Sequence, residues 1–93
     1  MRTIIIQIGN TDDKLTQVEW SAFCRGVQAA VNGHADKTHF AGGSDYCMPW
    51  QNACWVIEAI PVMADLLRDE IVKIRTEFRQ DSVAWTEGET AFV

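Results

Sequence analysis

Basic residues are scarce in this chain. Eight lysines and arginines stand against thirteen aspartates and glutamates, a net charge of −5 over 93 residues. Nucleic-acid binding draws most of its free energy from Lys and Arg neutralising phosphates, so this balance argues against a general DNA- or RNA-binding protein. Long apolar runs are missing as well. The longest, Val56 to Met63, is broken by Glu58 and Pro61, far short of the ~20 residues that cross a bilayer. The opening Met1-Arg2-Thr3-Ile4-Ile5-Ile6 lacks a signal-peptide pattern. Cys24, Cys47 and Cys54 are odd in number and have no CxxC or Cys/His ligand spacing. They read as free thiols in a reducing compartment, so the expectation is a cytoplasmic protein with no metal site and no cofactor. Phosphate-loop glycine motifs and a nucleophile–base–orienter set are also lacking, so no catalytic residue is assigned.

What is present reads as one domain, 1–93, of ordinary globular composition, 47% hydrophobic and 23% charged. Thr3 to Ile8 is β-branched and alternating, with Ile4, Ile6 and Ile8 on one face and Ile5 and Gln7 on the other. Thr16-Gln17-Val18-Glu19 is a capping box, with Leu15 and Trp20 placed as a hydrophobic staple. The stripe Trp20, Phe23, Cys24, Val27, Ala30, Val31 carries that helix to a stop at Asn32-Gly33, after which His34 reads as a solvated turn residue. A weaker strand spans about 35–41, with Thr38 and Phe40 opposite His39 and Ala41, and a long connection runs from Gly42 to Gln51. Asn52 to Ile60 alternates strongly. Pro61 suits a first helical turn, and Met63, Leu67, Ile71, Ile74 and Phe78 carry that helix to about Arg79. Ser82 to Thr86 is the last main strand, and Glu87-Gly88 is expected to turn the chain into a short terminal strand ending at Phe92-Val93.

The order β-α-β-β-α-β predicts an α+β, ferredoxin-like sandwich: an antiparallel four-stranded sheet with both helices on one face. The two most apolar strands then fall at the centre. Tracing the chain through this topology gathers three connections at one pole: Gly9–Lys14, Gly42–Asn52 and Arg79–Ser82. They bring together Asn10, Tyr46, Trp50, Gln51, Asn52, Arg79, Gln80 and Asp81. Amides and rings offer directional bonds and stacking, so these eight form the candidate ligand-binding set. The aspartates there read as turn chemistry rather than as a metal site.

The sheet face away from the helices shows Ile5, Gln7, His39, Val56 and Glu58. A half-apolar face of this kind is expected to be covered, most simply by a second copy of the chain. His39 and Glu58, on adjacent strands, read as a cross-strand pair at that seam, or alternatively as the acid/base pair of a small enzyme. The RNA-binding version of this fold needs aromatic and basic residues on its central strands; here they are Ile, Gln, Cys, Val and Glu.

Two strings, Pro49-Trp50-Gln51-Asn52-Ala53-Cys54-Trp55 and Arg79-Gln80-Asp81-Ser82-Val83-Ala84-Trp85, together with the opening Met1 to Ile6, resemble a group of small proteins of actinobacterial bacteriophages. The resemblance implies a phage accessory protein in the host cytoplasm, acting against host defence. Such a protein either sequesters a small nucleotide-like immune signal or inhibits a host protein through its acidic surface or open sheet face. The resemblance assigns no residue a role.

Overall fold

In the computed structural model, which describes residues 1–10, 12, 14–45 and 50–93, six elements follow one another. They are β1 (Arg2–Gly9), α1 (Gln17–His34), β2 (Lys37–Gly43), β3 (Asn52–Ala59), α2 (Pro61–Glu77) and β4 (Ala84–Gly88). The strands form one antiparallel sheet in the order β2-β3-β1-β4, the ferredoxin-like α+β arrangement. Period-two alternation decides which face each strand buries. Ile4, Ile6 and Ile8 of β1 and Ala53, Trp55, Ile57 and Ala59 of β3 all point into the core. From above, Phe23, Val27 and Val31 of α1 and Ala64, Leu67 and Ile71 of α2 close it. Burying a side chain such as Ile, Leu or Phe stabilises a fold by about 1.5–3 kcal/mol. The two central strands hold the densest such set.

The helix starts follow local chemistry. Thr16 Oγ1 accepts the Glu19 N–H at 3.2 Å and Glu19 Oε1 accepts the Thr16 N–H at 3.1 Å, completing the capping box. Pro61 occupies the first turn of α2. The helix ends depart from expectation. α1 runs through Asn32 and Gly33 to His34, because Gly33 keeps an ordinary negative φ and the left-handed stop is never made. His34 is therefore a last-turn residue, its Nδ1 2.7 Å from the Ala30 carbonyl, and not a solvated turn. α2 stops at Glu77, two residues short of Arg79. Arg79 takes a left-handed φ of 59°. The Arg79 N–H then donates to Thr76 O and the Gln80 N–H to Arg75 O, a helix closure that favours glycine.

The edge strands hold the larger differences. β2 begins at Lys37 and includes Gly42 and Gly43, both expected in the connection. Thr38 pairs with Ile57 and Phe40 with Val56, so His39 is the extra residue of a β-bulge. A bulge resets the alternation. Phe40 shares the open face with Val56 instead of facing the helices, while Ala41 and Gly43 turn to the helix side opposite Trp55 and Ala53. The Phe40 ring lies over Gly42, where a Cβ would come within 2.9 Å of it.

β4 lies two residues further along than expected, and no terminal strand forms among the described residues. Instead the tail crosses the open face. Thr90 Oγ1 is 2.5 Å from Thr3 Oγ1, and the Phe92 ring stands edge-on to His39 at 6.2 Å. No helix of the described chain is long and apolar enough to cross a membrane.

Candidate functional site

The three connections do meet at one pole, and there the polar side chains bond to each other. Asn10, only 2% exposed, donates Nδ2–H to Leu15 O at 3.0 Å and to Gln51 Oε1 at 3.1 Å, and accepts the Leu15 N–H at 3.0 Å. Gln51, 6% exposed, exchanges bonds with the Gln17 side chain, and its carbonyl accepts the Asn10 N–H at 2.8 Å. These two amides tie the first connection to the second. No buried side-chain polar atom among the described residues lacks a partner.

Arg79 is bound too, its Nη2 donating to Glu19 Oε2. The Glu19 carboxyl is held below its ordinary range by that guanidinium first and by the Thr16 N–H second. Gln80 donates to the Phe78 carbonyl, and exposed Asp81 stands 3.6 Å from Lys14 Nζ. Asp12 accepts the Lys14 N–H, as turn chemistry requires. Trp50 is 50% exposed on this pole. Tyr46 lies outside the described residues.

A groove of about 390 Å³ opens elsewhere, between α1 and β2. Neither helix covers β2, all seven of whose residues are exposed. Trp20, Cys24 and Gln28, at four-residue intervals, form the α1 wall with Arg25 beside them. Ala41, Gly43, Ala53 and Trp55 make the floor, and Ser44 and Asn52 close the end nearest the pole. Trp55 Nε1 donates to Gln28 Oε1 at 2.8 Å, fixing both side chains. Arg25 Nη1 donates to Ser21 Oγ at 2.7 Å and has no carboxylate partner among the described residues. Burial pushes the Cys24 thiol above its usual range, which disfavours the thiolate.

The bulge opens this groove. Without His39 as an extra residue, alternation would have put Phe40 in the floor where Ala41 now lies. Of the seven predicted ligand-binding residues that the structure describes, only Asn52 lines it. Trp20, Arg25, Gln28 and Trp55 were missed because their helical and strand spacing reads as core and solvent face. The one sequence signal was the small pair Ala41 and Gly43 on a weak edge strand.

On the open face Ile5 and Val56 are half-buried and Gln7 is exposed. His39 Nε2 and Glu58 Oε2 stand 3.6 Å apart, an ion-pair separation with Phe92 against the imidazole. Among the described residues no cluster of three or more His, Cys, Asp or Glu has a geometry for holding a metal. The chain matches no protein-family model and no curated protein sequence.

Proposed function

We propose that this chain is a non-enzymatic binding protein that sequesters a small nucleotide-like ligand in the α1–β2 groove. The observation that carries the reading is the bulge-opened floor beside Trp20, in a groove within the 300–1,000 Å³ typical of small-molecule sites. A planar base would stack against the Trp20 indole on the α1 wall. The Asn52 amide, which makes no side-chain bond within the described chain, would meet its polar edge, and Arg25 would meet a phosphate. The resemblance to actinobacterial phage proteins supports the setting, an accessory protein binding a host immune signal in the host cytoplasm.

The test uses AMP and cyclic di-AMP as probes, with tryptophan fluorescence and melting temperature as readouts. Saturable quenching is expected, with the nucleotide returned intact on denaturation, and Ala41→Phe should abolish it by refilling the groove. Two results overturn the reading: neither probe shifts either signal, or Ala41→Phe binds as well as the parent.

A second reading rests on Phe40, which is 53% exposed on the open face beside Val56. That face would pair two copies of the chain or seat a host protein. Native mass spectrometry separates these, since pairing should respond to Phe40→Ser and leave nucleotide binding intact.

A further inference from the structure

A second groove lies on the opposite edge of the sheet, between α2 and β4, with a volume of about 140 Å³. Arg68 and Arg75 line it from α2, seven residues and so two turns apart on one helix face. Ile71 and Val72 lie between them, and Val83, just before β4, and Trp85 form the opposite wall. The chain has five arginines. Arg2 pairs with Asp65 and Glu87, and Arg79 with Glu19, whereas Arg68 and Arg75 pair with no carboxylate among the described residues.

The reason is local. Asp65, three residues before Arg68 on α2, and Glu87, two residues after Trp85 on β4, are both taken by Arg2, and Glu87 also accepts the Trp85 Nε1–H at 2.8 Å. Arg75 has no acid three or four residues away on α2. One of its N–H groups is anchored on the Gln80 carbonyl at 3.1 Å, which positions the guanidinium and leaves the other donors free. In a chain of net charge −5 this is a local concentration of unneutralised positive charge beside an apolar wall.

We infer that the α2–β4 groove is an anion site that takes a phosphate group between Arg68 and Arg75. Two guanidinium charges match a dianion better than a single carboxylate. The volume is below that of a whole small-molecule site, so the rest of a phosphorylated ligand would stand in solvent over Val83 and Trp85. The inference is independent of the α1–β2 groove, from which it is separated by the width of the sheet.

The test titrates the full chain with inorganic phosphate at constant ionic strength, following tryptophan fluorescence and backbone amide NMR shifts. Phenyl phosphate and acetate serve as parallel arms. Phosphate should give saturable shifts centred on residues 68–75 and 83–85, phenyl phosphate should do the same, and acetate should bind about tenfold more weakly. Arg68→Gln, which removes no bond in the fold, should weaken phosphate by about tenfold without changing the melting temperature. Arg75→Gln should weaken it as well. Lys73→Gln, on the same helix but outside the groove, should leave it unchanged. The inference fails if chloride reproduces the shifts, if acetate binds as well as phosphate, or if Lys73→Gln weakens phosphate as much as Arg68→Gln.

Discussion

The pole and the α1–β2 groove share a boundary at Ser44 and Asn52, yet only the groove keeps a charged side chain without a charged partner among the described residues. At the pole Asn10 and Gln51 are buried and their amides are spent on Leu15, Gln17 and each other. In the groove Gln28 and Ser44 are also bonded within the chain, but Arg25 makes only one hydrogen bond among the described residues, to a neutral hydroxyl on its own helix. A cluster of amides in loops is therefore mortar or a recognition surface according to whether the chain itself supplies the partners. Composition cannot separate the two. The hydrogen-bond inventory can.

The sharpest way to break this comparison is Asn10→Ala. If the pole is mortar, the change leaves the Leu15 N–H and carbonyl without their buried partner, and denaturant unfolding should show a loss of about 2–4 kcal/mol. A variant that keeps its stability but loses nucleotide binding would reverse the assignment of the two regions.

Gly43→Ala comes next. A Cβ there would fall 2.2 Å from the Asn52 carbonyl oxygen, backbone that has little room to yield. A destabilisation of about 1–3 kcal/mol is expected, again by denaturant unfolding. Gly42→Ala, which meets only the edge of the Phe40 ring, should cost clearly less.

Arg79→Gly is smaller and sharper in its logic. It relieves a left-handed arginine, a gain of about 1 kcal/mol, and deletes the bond to Glu19. A net rise in melting temperature would show that backbone strain outweighs the exposed ion pair; a fall would show the reverse. The smallest effect is the pH dependence carried by Glu19. Its carboxyl is depressed in the fold, so its contribution is present at neutral pH, above the unfolded value, and is lost as pH falls through the lowered folded value. Glu19→Gln should flatten that acidic limb of a stability–pH curve. An unchanged limb would remove the Arg79 linkage.

Element order, both central strands, the capping box and the meeting of three connections were legible because each rests on a repeated or chemically specific pattern. Alternation over Thr3–Ile8 and Asn52–Ile60 admits one buried face, and Thr16 with Glu19 admits one helix start. The groove was not legible, since it depends on a bulge that adds a residue without any residue type to mark it. His39 and Phe40 look like members of an ordinary alternating run. The two helix ends were misread for a related reason: glycine permits a left-handed stop at Gly33 but does not require one, and arginine adopts it at Arg79 against its own preference. The tail across the open face, through Thr90 and Phe92, has no periodic signature at all.

The strand β2 sets seven residues against six on β3, Ala53 to Glu58. Its two sides are consequently not independent surfaces. Sliding β2 by one residue along its neighbour exchanges both sets of occupants together, carrying Phe40 inward as a plug and sending Ala41 and Gly43 outward. The chain's own last residues, with Phe92 against His39 on the outer side of this strand, therefore bear on the inner side as well as on the face they cover.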